Sequence, residues 1–388
     1  MSAATPFPFA WSEADNAAAA ARAVAQELLG QLRTGHCPKI GLLYISDQFV
    51  DDMDAVVEIL SSATGVAEWT GAAALGVIAG RKELFESPAL AVMLLDVPDD
   101  AVQPYGPITD AASFEVAAEQ AASFSEDAGA ALGIIHMDPT GDPLGQGLGS
   151  LPGMFAEVGG LYLVGGLSSG RQAMPIAATA GLAARAVGGA LVALESGVAT
   201  GVSQGCRPIS TARAITVEGD GVISRLDGTP AMSVLLAELG LSAEPDVADL
   251  REALRDIHIA LPTAGADRED YLVRNLTGID VQRGLIGISE AVADGDRAMF
   301  CRRDRETAAE DLDRMAKDAR RRLGRPPRGA LYVSCLARGP NLFGPGDQEL
   351  AILHAAIGGD CPVVGFFANG EIAHNRIYGY TGVLTLFG

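Results

Sequence analysis

A pattern that recurs three times places the strongest constraint on how this 388-residue chain can fold. Each copy has an apolar strand, a loop and helical segment, and a second strand that ends in Gly-x-x-x-x-Gly. The first strands are "KIGLLYIS" (39–46), "ALGIIHMD" (131–138) and "GALYVSC" (329–335). The glycine pairs are Gly71 and Gly76, Gly165 and Gly170, and Gly365 and Gly370. Because element order and glycine spacing recur together, the sequence predicts a repeated β-loop-α-β unit.

The glycine spacing resembles a phosphate-binding loop, but the following residues do not fit one. Val77, Arg171 and Glu371 follow the three second glycines, so none of the copies reads Gly-Lys-Ser/Thr. The "GQGLGS" stretch near residue 145 also misses the dinucleotide-binding fingerprint. The repeat therefore argues against a Walker-type or Rossmann-type nucleotide site.

The rest of the chain combines helices with antiparallel ribbons. A capping-box pattern, "SEAD", and apolar residues at helical spacing predict a helix over residues 12–33. Further helices are predicted over residues 51–63, 111–122, 232–239 and 304–321. Short β-rich runs fill residues 189–231, where "EGDG" indicates a hairpin and "LDGTPA" predicts a helix start with Thr229 as cap and Pro230 at the first helical position.

These elements predict an α/β fold with mixed β-sheets and helices packed outside. Repeated β-loop-α-β units and antiparallel hairpins build the sheets. We expect two domains that divide near residue 240, as residues 1–240 and 241–388, with residues 1–34 as an N-terminal helix extension.

Composition narrows the classes of partner. The net charge of −21 argues against nucleic acid or an anionic membrane, since both require clustered Lys and Arg. The five cysteines are dispersed without zinc-site spacing, as expected for reduced thiols in a cytoplasm. The N-terminal residues do not form a signal peptide, and no apolar run reaches the roughly 20 residues that span a bilayer. We therefore expect a cytoplasmic protein.

Several motifs in a fixed order give the chain a family resemblance. In the C-terminal part these are "LYVSCLARGPNLFG", the acid Glu349, "PVVGFFANGEI" and "YTGVLTL". In the N-terminal part they are "VGGLSSG", "VSQGCRPI" and "VISRLDGTPA". Over residues 35–388 the chain resembles the FIST family, named for F-box and intracellular signal transduction proteins. The resemblance implies a sensory module with a FIST N-terminal and a FIST C-terminal domain.

The resemblance also implies a kind of ligand. Family members are thought to bind small ligands, with amino acids proposed, and some bacterial members are similar to haem-binding nitric-oxide sensors. Members occur beside kinase or cyclase output domains or fused to an F-box, whereas we expect this chain to carry the sensory module without an output domain. The chain departs from the family at Val77, where members often carry an acid.

A ligand site is predicted where the glycine-ended strands stop. Glu371 could bind a ligand or accept backbone N–H bonds in its own turn. Arg338 could approach Glu371, either as an ion pair or as a clamp in which the Arg binds an amino acid's carboxylate and the Glu its ammonium group. The predicted ligand-binding residues are Ser168, Ser169, Arg171, Gln204, Arg207, Cys335, Arg338, Asn369, Gly370 and Glu371.

Other chemistries stay open at this point. Cys335 with Glu371 or His374 could form a hydrolase site for a small amide or ester, although a free cysteine is more often a small buried hydrophobe. His136, Asp138 and Asp142 could hold a metal or simply form a strand end and turn. For haem, His354 in an apolar helix is a candidate ligand, and His36, His136, His258 and His374 are equally open.

The sequence favours an intracellular sensor that binds a small ligand without catalysis. The alternatives are a haem-binding gas sensor, a cysteine-dependent hydrolase and a scaffold that binds a protein partner. Its expected partners are a small molecule and a signalling protein, with no nucleic acid and no membrane. The identity of any cofactor and the oligomeric state stay open.

Overall fold

The computed structural model describes residues 5–32, 37–129, 131–171, 174–179, 181–262 and 271–388. Within these ranges the helices are α1 Ala17–Gln31, α2 Met53–Thr64, α3 Ala111–Ala128, α4 Leu151–Gly159, α5 Ala231–Glu238, α6 Val247–Leu254, α7 Arg305–Leu323, α8 Pro340–Phe343 and α9 Gln348–Ile357. None of the helices in these ranges is both long enough and apolar enough to cross a bilayer.

The strands of the described part alternate with these helices. In the first half of the chain they are β1 Phe9–Glu13, β2 Ile40–Ser46, β3 Glu68–Ala74, β4 Gly76–Ala79, β5 Lys82–Phe85, β6 Ala89–Leu95, β7 Val102–Ile108, β8 Ala131–Met137, β9 Leu161–Leu167, β10 Ile176–Thr179, β11 Gly181–Ala183 and β12 Val187–Val192. In the second half they are β13 Val198–Ser203, β14 Cys206–Pro208, β15 Arg213–Gly219, β16 Val222–Leu226, β17 Thr229–Pro230, β18 Ile257–Pro262, β19 Tyr271–Arg274, β20 Leu276–Asp280, β21 Leu285–Ile288, β22 Arg297–Arg303, β23 Gly329–Cys335, β24 Val363–Ala368, β25 Glu371–His374, β26 Arg376–Tyr378 and β27 Gly382–Phe387.

The predicted fold class is confirmed. The chain forms mixed sheets, and the predicted repeat is three β-α-β units whose two strands pair in parallel: β2 with β3, β8 with β9, and β23 with β24. Each unit lies in its own six-stranded sheet, in the orders β1-β6-β2-β3-β10-β11, β26-β25-β9-β8-β12-β7 and β13-β27-β23-β24-β4-β5. Helices α1 and α2 pack on the first sheet, and α3 and α4 pack on the second.

The chain forms two compact units, and the first of them is made of two segments that are not continuous in the sequence. One comprises residues 1–203 and 309–388, and the other residues 204–308. The first unit combines both ends of the chain because strands are exchanged between its sheets. Strand β4 pairs with β24, and β25 pairs with β9. The domain division near residue 240 stays a prediction.

The second unit is built on a nine-stranded sheet. Its main path is β19-β18-β22-β15-β16-β21-β20, with β14 added on β22 and β17 on β16. The predicted "EGDG" hairpin is present as β15 and β16. The apolar faces of α5 and α6 pack on this sheet with residues such as Leu235 and Leu250.

Two local predictions are wrong. The helix predicted over residues 12–33 begins at Ala17, where the Asn16 side chain accepts a hydrogen bond from Ala19 N at 2.9 Å. Residues 9–13 form β1 instead, because they pair with β6 across the first sheet. Thr229 does not cap a helix. It lies in the short strand β17, and α5 begins at Ala231, directly after Pro230.

Candidate functional site

The first glycine of each pair has a common structural role. Gly71, Gly165 and Gly365 each lie directly opposite a residue of the paired parallel strand. A Cβ atom at these glycines would lie 1.6, 1.8 and 1.8 Å from a carbonyl oxygen of that strand. The oxygens belong to Leu43, Ile135 and Tyr332. The repeat therefore preserves a close approach of two backbones that a larger residue would prevent.

Ser169 joins the ends of the three units. Its Oγ accepts a hydrogen bond from Leu75 N at 3.0 Å and donates to Phe367 O at 2.7 Å. Its backbone N donates to Ala73 O at 3.1 Å. Ser169 lies just after β9. Of its partners, Ala73 is in β3, Leu75 directly follows β3, and Phe367 is in β24. The ends of the three units therefore meet at Ser169, whose side chain and backbone hold them together.

A charged cluster is buried beside these ends. Arg338 follows β23, and its Nε donates to Oε1 of Glu349 in α9 at 2.7 Å. The exposed fractions of the two side chains are 0% and 1%. Glu349 also accepts from the Tyr332 hydroxyl at 2.7 Å and from Gly339 N at 2.8 Å. The carboxylate is saturated with donors, as a buried charge requires.

Glu371 is the second carboxyl group of this site. Its Oε2 accepts from Thr381 N at 3.0 Å and from Thr381 Oγ1 at 2.7 Å. Its Oε1 has no hydrogen-bond partner within the described residues, and the residue is 0% exposed. Burial raises the pKa of Glu371 to about 8, although the Thr381 bonds, the Cys335 thiol and the Arg338 charge each oppose this shift.

The predicted ion pair between Arg338 and Glu371 is replaced by another. Arg338 pairs with Glu349, because α9 places its first turn over the end of β23. Arg338 Nη2 donates to Ser203 Oγ at 3.2 Å, and Nη1 is buried without a partner in the described chain. We call Arg338, Glu349, Glu371, Cys335 and Thr381 the strand-end cluster.

The cysteine–histidine pair considered from the sequence is not assembled. Cys335 is buried, and desolvation and the neighbouring Glu371 raise the pKa of its thiol. His374 lies three residues after Glu371 on β25, which directs the two side chains to opposite faces of the strand. Its ring is exposed and lies 5.4 Å from the ring of Tyr162. Glu371 does lie beside the thiol, but it raises the thiol's pKa together with burial, and a thiol with a raised pKa is a poor nucleophile.

The other predicted ligand residues do not belong to the strand-end cluster. Arg171 is at the surface, where its guanidinium pairs with Asp47 and with Glu86, both at 3.0 Å. Ser168 donates to the carbonyl oxygen of Met174. Asn369 is exposed, and Gly370 accepts from Leu167 N at 2.9 Å with a φ of 129°.

Gln204 and Arg207 belong to the second compact unit. Gln204 Nε2 donates to Tyr271 O at 3.4 Å. Arg207 is exposed on β14. Of the ten predicted residues, the strand-end cluster therefore contains Cys335, Arg338 and Glu371.

The histidines considered for metal or haem differ in their surroundings. His136 is 0% exposed, and its two ring nitrogens lie 2.9 Å from the Tyr44 hydroxyl and 3.0 Å from Thr70 Oγ1. Burial lowers its pKa to about 3, so the ring is neutral and both nitrogens are occupied. His354 Nε2 bonds to Gly80 O at 2.9 Å. His258 lies in the second unit, and His36 lies outside the described residues.

The aspartates that follow His136 form turns. Asp138 accepts from Thr140 N at 2.9 Å, and Asp142 accepts from Gly147 N at 2.9 Å. Across the described ranges, no three His, Cys, Asp or Glu side chains are grouped to hold a metal ion. The geometry of these residues is that of a strand end followed by a turn.

Sequence reasoning overlooked the partners of Arg338 and Glu371. Glu349 was visible as an acid in the helix after the strand, but its role depends on where that helix packs. Tyr332 lies on β23 itself, whereas Ser203 ends β13 and Thr381 precedes β27, and their roles depend on how these segments pack together.

Comparison with known proteins agrees with this architecture. Residues 39–229 match the model of the FIST N domain, and residues 231–374 match that of the FIST C domain. The uncharacterized protein Rv0628c of Mycobacterium tuberculosis is 30% identical over 389 residues, covering 96% of each chain. The uncharacterized protein Mb0898c of Mycobacterium bovis is 29% identical over 399 residues, covering 95% of this chain and 96% of its own. The chain belongs to the FIST family, whose domains are associated with sensing in signal transduction.

Proposed function

We propose that this FIST protein is a sensor that binds a small ligand at the strand-end cluster and does not transform it. The observation that carries the proposal is the burial and incomplete hydrogen bonding of two ionisable side chains. Arg338 and Glu371 are both 0% exposed, and each retains a polar atom without a partner in the described residues, Nη1 and Oε1.

Unpaired buried polar atoms are costly. Each costs about 1–3 kcal/mol, and more when the group is charged. Native proteins retain such atoms mainly where a ligand, an ion or an ordered water completes the bonding, or where the site has a functional role. Two such atoms in one cluster, at the point where three repeated units converge, support a site for a small polar ligand.

The backbone near the cluster also supports this assignment. Tyr380 precedes the Thr381 that binds Glu371, and it has a φ of 64°. Asp347 precedes α9, which carries Glu349, and it has a φ of 59°. Non-glycine residues with such a positive φ, in the left-handed backbone region, are strained by about 1–3 kcal/mol. They are found preferentially at ligand sites and in moving segments. Because the cluster is fully buried, a ligand enters only when a covering segment moves, and this motion would transmit the signal to a protein partner.

The groups present define the first ligands to test. Arg338 Nη1 offers a hydrogen-bond donor, and Glu371 Oε1 offers an acceptor for a donor or cation. An amino acid has complementary groups, since its carboxylate could bind the arginine and its ammonium group the glutamate. The buried, unactivated Cys335 thiol favours binding over hydrolysis.

A thermal-shift screen with amino acids, amino alcohols and small carboxylates tests the proposal, followed by calorimetry on the compounds that stabilise the protein. We expect a saturable, concentration-dependent rise in the unfolding temperature. Arg338→Lys and Glu371→Gln should weaken this response, while the surface variant Arg171→Lys should retain it. If no compound stabilises the wild type, ordered water is the sole occupant of the cluster and the proposal is wrong.

A further inference from the structure

We propose that the ligand of the strand-end cluster is a small monocation that also carries an uncharged hydrogen-bond acceptor, such as an amino alcohol, and that it replaces a proton on Glu371. This inference rests on the proposed function and names the chemical class of its ligand. It follows from the charges that the cluster encloses and from the bonds that each carboxylate already makes.

The cluster holds one guanidinium group and two carboxyl groups. Arg338 and Glu349 form a direct pair, so their charges compensate each other. Glu371 is left as the uncompensated carboxyl group in a site whose charged side chains are 0–1% exposed. An uncompensated charge in such a site is strongly unfavourable, so Glu371 carries a proton or faces a cation.

Among the described residues, the groups around Glu371 supply no second cation. The thiol of Cys335 faces it from β23, Arg338 faces it from the turn that follows, and Thr381 faces it from the segment before β27. Strand β25 is paired with β9 at Gly166 and with β26 at Tyr378. Arg338 is the cation that acts on the Glu371 pKa, and it is already paired with Glu349.

The hydrogen bonds locate the proton. Oε2 of Glu371 accepts two bonds from Thr381, at 3.0 and 2.7 Å. Oε1 is free of such bonds within the described residues, so the proton resides there when the carboxyl group is neutral. The raised pKa, about 8, agrees with a neutral carboxyl group at pH 7 in the absence of ligand.

A bound monocation would compensate the charge of ionised Glu371 and would give both unpaired atoms, Glu371 Oε1 and Arg338 Nη1, a hydrogen-bond partner. The ligand's ammonium group donates to Oε1 of Glu371, whose proton passes to the solvent, and no other covalent bond changes. The ligand's hydroxyl oxygen accepts from Arg338 Nη1. The occupied site then has no net charge. A zwitterionic amino acid beside ionised Glu371 would leave the site with one net negative charge, and a carboxylate would leave one even if Glu371 stayed protonated.

The exchange makes binding dependent on pH in a defined direction. Below the pKa of Glu371, each binding event releases one proton, so affinity rises about tenfold per pH unit. Above that pKa the dependence disappears, because Glu371 is already ionised. Binding of a neutral ligand or of an amino acid to protonated Glu371 would release no proton.

Calorimetry with ethanolamine, glycine and acetate tests the inference. Titrations of the full chain in two buffers of different ionisation enthalpy, at about pH 6 and about pH 7.5, measure both affinity and proton release. We expect ethanolamine to bind more tightly than glycine, with release of close to one proton, and acetate to bind most weakly. Glu371→Gln should abolish the proton release, while Glu86→Gln at the surface should preserve it.

A second measurement does not need a ligand. The carbonyl stretch of a protonated carboxylic acid should appear in the infrared spectrum of the wild type at pH 7 and lose intensity in Glu371→Gln, where the buried Glu83, whose pKa burial raises to about 7, still contributes. An unchanged band in Glu371→Gln, or tighter binding of glycine without proton release, overturns the inference and leaves the proposed function standing. If no small molecule in the wider screen binds, both are wrong.

Discussion

Arg338 Nε donates to Glu349 Oε1 at 2.7 Å, in a pair whose side chains are essentially inaccessible to solvent. The pair connects the end of β23 to the first turn of α9, and the same carboxylate also holds Tyr332 and Gly339. It therefore fixes the helix of the third repeat unit over its strand and sets the position of the guanidinium group.

Removing one partner of this pair should be strongly destabilising. Arg338→Met leaves the Glu349 charge buried without its cation, so we expect a loss of about 3–5 kcal/mol in the free energy of unfolding. Urea denaturation followed by circular dichroism measures the change. Arg314→Met, which removes the solvent-accessible pairs of Arg314 with Asp311 and Asp318 on α7, should cost less than about 1 kcal/mol. Equal effects of the two substitutions would contradict the structural role given to Arg338.

Glu371 should make the protein less stable as the pH rises. Its pKa in the folded state is about 8, above the usual value for a carboxyl group, so the folded state binds more protons than the unfolded state between about pH 4.5 and pH 8. The stability contribution is complete below the lower value and is lost as the pH rises through the higher one, with a slope of up to about 1.4 kcal/mol per pH unit.

Comparison with Glu371→Gln isolates this contribution. The difference in unfolding free energy between wild type and variant should decrease from pH 5 to about pH 8 and then stay constant. Denaturant titrations at several pH values provide the measurement. A difference that grows with pH would show that Glu371 is ionised and stabilised in the folded state.

The repeated glycines should not tolerate a methyl group. In Gly365→Ala the new Cβ would lie 1.8 Å from Tyr332 O, a backbone atom fixed by the parallel pairing of β23 and β24. We expect the free energy of unfolding to fall by more than is typical of overpacking, which costs about 1–3 kcal/mol. The matched control is Gly30→Ala in α1, where the added Cβ meets no atom within 4 Å. That change should stabilise the helix by up to about 1 kcal/mol, and thermal unfolding distinguishes the two outcomes.

Ser169→Ala should affect stability rather than ligand affinity. The substitution removes a hydroxyl that joins Leu75 N to Phe367 O and leaves both backbone groups without that partner. We expect a loss of about 1–3 kcal/mol, compared with a negligible change for the exposed Ser150→Ala. Chemical denaturation measures stability, and calorimetry with a ligand found in the screen measures affinity. Loss of affinity without loss of stability would instead place Ser169 in the binding site.

Much of the architecture could be predicted from residues close together in the sequence. The three parallel β-α-β units follow from alternating apolar runs and glycine spacing, and the "EGDG" hairpin follows from turn chemistry. The boundary of α1 was harder to predict, because residues 9–13 form a strand only through pairing with β6, which is about 80 residues away.

The candidate site was predicted in part. Arg338, Cys335 and Glu371 were selected because they end or follow repeat strands, and the structure brings these three together. Arg171, Gln204 and Arg207 have the same polar character in glycine-rich or strand-end stretches, yet the first pairs at the surface and the others lie in the second unit. Residue type and local spacing cannot distinguish these environments.

The sequence by itself determined the repeated unit, because strand formation and close backbone approach depend on apolar periodicity and on glycines within a few residues. The tertiary structure alone decided that Arg338 pairs with Glu349 and that Glu371 is left with Thr381. These choices depend on how α9 and the segment before β27 pack over the strand ends. In a buried site the hydrogen-bond partners and the charge of each group are set by the elements that exclude water, and those elements come from distant parts of the chain.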